Sequence, residues 1–305
     1  MSTEMIVGFV GIGTMGDPMV RHVAAAGYAV VVYDTSPQAI ARIAKVSGIE
    51  KAGSLAELAT RCNTIITMLP NGKTVHEVIL GKPDTKNDCL SAGLRAGSMI
   101  IDMSSSDPIG TRQLGEELES FGLRLLDAPV SGGRKGAEQA TLAIMVGGET
   151  APVEEFRTLL GTMGKIVHHA GPLGSGHAVK ALNNYVSAAG FTAALEAMLV
   201  GHRFGIDPGT IIDIINTSSG RNNSTETKIH QQVLPRSFKQ GFALGLMAKD
   251  LRTALDLAQG IGLDLPLAKH CVGIWNKAEA TIGGDTDHTE LLRYLEQATG
   301  EYLDG

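Results

Sequence analysis

Gly11, Gly13, Gly16, Asp34, Lys180 and Asn184 are the residues whose types and spacing can do chemistry. The run Gly8-Phe9-Val10-Gly11-Ile12-Gly13-Thr14-Met15-Gly16 follows a Val/Ile-rich stretch and opens one of helical period. That is the context in which G-x-G-x-x-G binds a dinucleotide. Gly11 permits the tight turn, Gly13 lets the backbone approach a pyrophosphate, and Gly16 lets helix and strand pack closely. Ile12, Thr14 and Met15 complete the loop, whose helix-start N–H groups face the diphosphate. Asp34 closes Val30-Val31-Val32-Tyr33-Asp34, the place where a carboxylate accepts from both ribose hydroxyls and repels a 2′-phosphate. No arginine follows it within the next few residues, so NAD is expected and NADP is disfavoured. Two rival readings are an ordinary loop with Asp34 as a helix cap, and an S-adenosylmethionine site, which also uses a glycine turn and an acid.

Lys180 is the sharpest single residue. It lies one turn into a long helical stretch after Gly171-Pro172-Leu173-Gly174-Ser175-Gly176, among Ala178, Val179, Ala181 and Leu182. Asn184 follows at i+4, on the same face. A lysine in an apolar turn is costly unless it has a task, and a partly buried amine is suited to proton transfer. The bland alternative is a lysine that snorkels to the surface. Asp127-Ala128-Pro129-Val130-Ser131-Gly132-Gly133 supplies a hydroxyl and two glycine N–H groups, a small nest suited to a carboxylate. Arg134 and Lys135 add charge there or form a solvated pair. Met68-Leu69-Pro70-Asn71 and Asp102-Met103-Ser104-Ser105-Ser106 follow apolar runs, at strand ends where open α/β sheets place ligands. Pro70 stiffens its turn, and Ser105 can hydrogen-bond the nicotinamide end. Lys249-Asp250 forms a further pair, with Asp250 readable as a helix-start residue favoured by the dipole.

These residues need elements to hold them. Apolar runs at 6–10, 29–33, 64–69, 98–102, 123–126, 142–146 and 166–169 alternate with helical stretches at 15–26, 36–46, 55–61, 74–80, 108–120 and 152–162. Such alternation predicts an α/β doubly wound domain, a mostly parallel sheet covered on both faces, over residues 1–170. Ser36-Pro37 and Asp107-Pro108 each set a capping residue before a first-turn proline. Past Gly176 the strand signal ends. An interdomain helix of about 30 residues is expected, far above the mean of about 11–12. Apolar residues on several of its faces predict that it is largely buried. Helices at 208–217, 249–260, 265–281 and 287–298 then make 171–305 an all-α domain for substrate and oligomer contacts.

The 305 residues exceed one ordinary core, and a formal net charge of −6 gives no footprint for nucleic acid. No apolar run approaches the roughly 20 residues that span a bilayer, and Met1-Ser2-Thr3-Glu4-Met5 reads into a strand, not a signal peptide. Cys62, Cys89 and Cys271 are odd in number and widely spaced, which points to a cytoplasmic protein without a disulfide framework. No histidine pair has helical ligand spacing, so no metal is expected.

Four separated motifs in order make the chain resemble the β-hydroxyacid dehydrogenase family, which includes 3-hydroxyisobutyrate dehydrogenases and tartronate semialdehyde reductases. They are residues 8–19, Asp127 to Gly133, Gly171 to Asn184, and Met247-Ala248-Lys249-Asp250-Leu251. The resemblance implies an NAD-dependent oxidoreductase that interconverts a small β-hydroxyacid and its semialdehyde. It implies Lys180 as general acid/base, Asn184 holding the substrate, and Ser131, Gly132 and Gly133 gripping its carboxylate. Leu69, Pro70, Thr74 and Ser105 would line the NAD site, Lys249 would close it, and the helical domain would form a homodimer or homotetramer. Thr74 stands in for an asparagine common after the Leu-Pro turn, and Ser105 for a usual threonine. The segment Ser219 to Thr225 differs from the subfamilies, which leaves the substrate open. Two other readings are a related-fold imine or short-chain aldehyde reductase using NADPH, and a non-catalytic dinucleotide-binding protein.

Overall fold

The structure, a computed structural model, describes residues 5–82 and 87–303; residues 1–4, read into the first strand, lie outside them. It divides into two compact units, Met1–Lys180 and Ala181–Gly305.

In the first unit the Val/Ile-rich runs become strands β1 (Ile6–Val10), β2 (Ala29–Tyr33), β3 (Ile49–Lys51), β4 (Thr64–Thr67), β5 (Met99–Asp102) and β6 (Arg124–Asp127). They lie parallel in the order β3-β2-β1-β4-β5-β6, the doubly wound arrangement. The sheet continues through β8 (Leu142–Gly147), which pairs antiparallel with β6 and with the two-residue β7 (Val130–Ser131), and parallel with β9 (Gly164–Gly171). Helices α1 (Gly16–Ala25), α2 (Pro37–Ile43), α3 (Leu55–Arg61), α4 (Gly72–Leu80), α5 (Pro108–Glu119), α6 (Gly133–Glu138) and α7 (Thr150–Gly161) fill the connections. Ser36, Ser54, Asn71 and Asp107 each accept a backbone N–H from the first turn of the helix they precede, satisfying donors that a helix start leaves open. Two apolar clusters cover the sheet, one around Phe9, Met19 and Ile101, the other around Leu58, Ile65 and Ile100.

Register makes this sheet a platform. Tyr33, Val10, Thr67, Asp102 and Asp127 are successive cross-strand partners, a single row at the carboxyl ends of five strands. The segments at 11–16, 34–36, 68–71, 103–106 and 128–133 all leave from that row. In the first unit the elements without a counterpart in the expectation are too short to carry a period: β3, β7, α6 and a 3₁₀ turn at Leu90–Ala92.

The second unit is helical. It takes up most of α8 (Ser175–Arg203), then α9 (Pro208–Asn216), a π-helix at Ser224–Val233, α10 (Leu244–Gly260), α11 (Pro266–Ile282), a 3₁₀ turn at His288–Glu290 and α12 (Leu291–Thr299). Phe191, Leu195, Met198, Leu251, Trp275 and Leu292 centre its core, and Trp275 Nε1–H donates to Thr192 Oγ1 (3.0 Å). At 29 residues α8 has the expected length, but it is not largely buried: Val186 and Val200 are 67% and 71% exposed. The apolar residues on several faces therefore reflect two different surfaces, one packed and one open. Among the described residues, no helix is long and apolar enough to cross a membrane.

The helical core encloses a basic pair. His288 is buried between Phe191 and Phe242, and its Nδ1 pairs with the Phe242 carbonyl (3.1 Å). Burial, then repulsion from Lys228, lowers its pKa to about 4, against the pull of Asp287. The unfolded chain therefore takes up a proton near pH 6.5 that the folded chain refuses until about pH 4. Unfolding free energy from urea titrations should fall progressively as pH drops through that window. The variant His288→Asn should show a flatter profile. Identical slopes for the two proteins would contradict this account.

Candidate active site

The glycine loop has the geometry its sequence demands. Gly11 has φ +92°, and a Cβ there would run into the Met68 carbonyl. A Cβ on Gly16 would strike the Gly11 carbonyl, so α1 packs against the turn only because both are glycine. Gly13 differs: nothing lies within 4 Å of its Cβ position, leaving open space on the loop face that a diphosphate would approach. Asp34 secures the arrangement, with Ile12 N–H donating to Oδ2 (2.8 Å) and Ser36 N–H to Oδ1 (2.7 Å). Each oxygen keeps acceptor capacity for a ribose hydroxyl. These residues fit a dinucleotide.

Two arginines belong to this loop as well. Asp17, in the first turn of α1, bonds Arg21 Nε (2.5 Å) and Arg42 Nε (3.2 Å), and Arg42 Nη2–H reaches the Ile12 carbonyl (3.4 Å). Burial opposes ionisation of Asp17, yet the bonds to Arg21 and Arg42 outweigh it and hold its carboxyl below the usual range. The acid beside the anion-accepting helix start is thus neutralised. Arg42 stands eight residues beyond Asp34, and the helical turn of α2 returns it to the loop, which a reading of the next few residues misses.

The loops after β4 and β5 are joined by Ser104. Ser104 Oγ accepts from Leu69 N–H (2.8 Å), and Ser104 N–H donates to Asp102 Oδ1 (3.0 Å). Thr67 Oγ1–H and Ser106 Oγ–H also donate to Asp102 (2.8 and 2.7 Å). Leu69 and Ser105 remain partly exposed beside this buried knot, and Pro70 is exposed. Asn71, directly after the Leu-Pro turn, accepts from Thr74 N–H (2.9 Å) and Thr74 Oγ1–H (3.1 Å), so Thr74 serves the cap of α4.

Asp127 holds the helix that carries Lys180. Its carboxylate, fully buried at the end of β6, accepts from Gly174 N–H and His177 N–H, both at 2.7 Å. These are donors at the start of α8, where a carboxylate also gains from the helix dipole. Gly176 makes the approach possible, because a Cβ there would collide with the Met145 carbonyl. His177 is buried too, bonding Thr111 Oγ1 through Nδ1 (2.8 Å) and the Ser104 carbonyl through Nε2 (3.1 Å). Lys180 is partly buried one turn further on. A histidine three residues from Lys180 is therefore a structural member, not a rival for proton transfer.

Gly132 (φ +130°) and Gly133 (φ +58°) take backbone conformations that favour glycine, and Ser131 is partly exposed beside them. Arg134 is exposed and paired with Glu138 (2.7 Å), the solvated alternative. In the second unit Asn184 is buried and donates through Nδ2 to Asp250 Oδ2 (2.6 Å), while Lys249 Nζ lies 3.0 Å from Asp250 Oδ1. One buried carboxylate thus orients both Asn184 and Lys249. Asp250 is not a helix-start residue, because α10 begins six residues earlier at Leu244; its actual role could not be read from spacing because its partner lies 66 positions away.

Replacing Asp127 by Asn should expose how much rests on this carboxylate. Its amide nitrogen would face a backbone donor, so Asp127→Asn should lose about 2–4 kcal/mol of unfolding free energy in urea titrations. A loss under about 0.5 kcal/mol would contradict the anchoring role.

Comparisons with known proteins bear directly on this site. Residues 6–171 match the model of the NAD binding domain of 6-phosphogluconate dehydrogenase, and residues 174–295 that of the NAD-binding region of NADP-dependent 3-hydroxyisobutyrate dehydrogenase. The chain is 33% identical to 2-(hydroxymethyl)glutarate dehydrogenase of Eubacterium barkeri, over 100% of this chain and 99% of that one. It is 35% identical to 2-hydroxy-3-oxopropionate reductase of Escherichia coli, over 96% and 97%. A solved 3-hydroxyisobutyrate dehydrogenase of Mycobacterium tuberculosis, with L-serine, superposes with a TM-score of 0.86 at 32% identity, covering 96% of this chain and 99% of that one. With its dinucleotide loop, strand-end platform and helix-borne lysine, the chain belongs to the β-hydroxyacid dehydrogenase family, oxidoreductases of hydroxyacids and semialdehydes that use NAD(P).

Proposed function

We propose that the protein interconverts a small β-hydroxyacid and its semialdehyde with NAD in preference to NADP, and that Lys180 is the general acid/base. The observation that carries this reading is the anchoring of α8 on Asp127, which fixes the turn bearing Lys180 to the same strand-end row as the dinucleotide loop. NAD(H), when bound, supplies or takes up the hydride. Gly11, Ile12, Gly13, Thr14, Met15 and Gly16 hold the diphosphate, and Asp34 accepts from the ribose. Leu69, Pro70, Thr74, Ser105 and Lys249 complete the cofactor contacts. Ser131 Oγ–H and the N–H groups of Gly132 and Gly133 hold the substrate carboxylate. Asn184, fixed by Asp250, orients the carbinol. In the reductive direction the Lys180 ammonium donates its proton to the substrate oxygen; in the oxidative direction the neutral amine accepts it.

The carboxylate of Asp34 supports the preference for NAD, since a 2′-phosphate would meet a like charge. The open apolar residues of the second unit, Val186, Val200, Phe204 (83% exposed) and Ile214, support a homodimer or homotetramer. Burial pushes the thiols of Cys62 and Cys271 up to about 11, making them inert and compatible with the cytoplasm. We assign residues 1–170 to cofactor binding and 171–305 to substrate and oligomer contacts.

Assays at the NADH band with a panel of hydroxyacids and semialdehydes test the reading. Lys180→Ala should lower turnover roughly 10²–10⁴-fold while the NADH dissociation constant stays within about threefold. Unchanged turnover would remove Lys180 from its role. Separately, Asp34→Ser should raise the KM for NAD by at least about tenfold and shift the kcat/KM ratio toward NADP. An unaltered ratio would reject the ribose assignment.

A further inference from the structure

Ile12 sits at the centre of the glycine loop and is fixed on three sides. Its side chain is fully buried, its N–H donates to Asp34 Oδ2 (2.8 Å), and its carbonyl accepts from Arg42 Nη2–H (3.4 Å). The last of these contacts bears on the residue that follows. In a trans peptide the carbonyl of one residue and the N–H of the next point in opposite directions. With the Ile12 carbonyl turned to Arg42, the Gly13 N–H is turned the other way, on a residue whose Cβ position faces open space. A backbone N–H so placed before a helix is a donor for an anion.

Arg42 is itself held at both ends. Its Nε lies 3.2 Å from Asp17 Oδ2, and its own carbonyl accepts from Arg21 Nη2–H (3.0 Å). Arg21 Nε bonds the other oxygen of Asp17 (2.5 Å). Asp17 also donates its backbone N–H to the Gly13 carbonyl (3.0 Å). These bonds close a ring that runs from Ile12 and Gly13 through the first turn of α1 to Asp17, then to Arg42 and back to Ile12. The Asp17 side chain is 16% exposed, whereas those of Arg21 and Arg42 are 42% and 52% exposed, so the carboxylate is the sheltered hub. Exposed ion pairs taken singly add little to stability, and a network of fixed geometry is the exception. By charge alone, a carboxylate one residue past Gly16 would repel a diphosphate; within the ring it serves one.

We infer that Asp17 and Arg42 are positioning residues for the cofactor, holding the Ile12–Gly13 peptide so that the Gly13 N–H faces the diphosphate. The inference rests on the reading that the glycine loop binds the diphosphate. Arg42 acts through the Ile12 carbonyl, and Asp17 acts through Arg42. Loss of either releases the same peptide.

The test uses the wild type, Asp17→Asn, Arg42→Gln and the double variant. NADH fluorescence gives its dissociation constant, and displacement of NADH gives those of ADP, adenosine and NADPH. The wild type should bind ADP at least about tenfold more tightly than adenosine. Asp17→Asn and Arg42→Gln should each weaken ADP and NADH about 3–10-fold and leave adenosine within about twofold. The double variant should lose no more than about twofold beyond the weaker single variant, as members of one network do. Charge alone predicts the opposite sign for Asp17→Asn, so tighter or unchanged ADP binding in that variant would overturn the inference. Equal losses of adenosine and ADP would reduce the pair to general support of the loop, and losses that multiply in the double variant would separate the two residues; either overturns it. A loss confined to NADPH would make Arg42 a direct partner of the 2′-phosphate and overturn it as well. A wild type that binds NADH but holds ADP no tighter than adenosine would overturn the glycine-loop reading itself, and the inference with it.

Discussion

The Asp127 carboxylate ends a strand and begins a helix at once, and the positions of the other groups in the first unit follow from it. Two backbone N–H groups at the head of α8 converge on it in the buried interior, where charge-assisted hydrogen bonds are strong and an unpaired partner is expensive. Because Asp127 is in register with Asp102, Thr67, Val10 and Tyr33, a single row of strand ends transmits its position. His177 and Ser104 tie that row to the loop bearing Leu69, and Gly11 packs against the Met68 carbonyl. Dinucleotide loop and lysine-bearing turn are thereby parts of one hydrogen-bonded frame.

The second unit uses the same device on a smaller scale. Asp250 is buried and bonded to Asn184 and Lys249, so one carboxylate again fixes two polar side chains. Lys228 is the contrasting case, a buried cation whose protein partners carry no negative charge.

Legibility from sequence followed the range of the interactions involved. Glycine spacing, strand alternation and Ser-Pro or Asp-Pro caps act within a few residues, and β1, β2, α3 and the start of α5 appear where those signals place them. The roles of Gly11 and Gly16 were also readable, because sterics at a tight turn leave few options. Interactions that close over 20 or more residues were not. Arg42 returns to the glycine loop through α2, Ser104 bridges the loops after β4 and β5, and Asp250 finds Asn184 across the helical unit. The open face of α8 was misread for a related reason: apolar residues on all sides do not say which sides are packed within one chain.

Rescue of a lysine-deleted enzyme by added amines tests the central claim most directly. If Asp127 holds α8 so that the Lys180 amine exchanges a proton with the substrate oxygen, methylamine and its homologues should restore turnover to Lys180→Ala in a saturable way. The rate should track amine basicity, and rescue should weaken sharply when Asp127→Asn is added. Amines that leave turnover of Lys180→Ala unchanged at every concentration, or that rescue it equally with and without Asp127, would contradict the account.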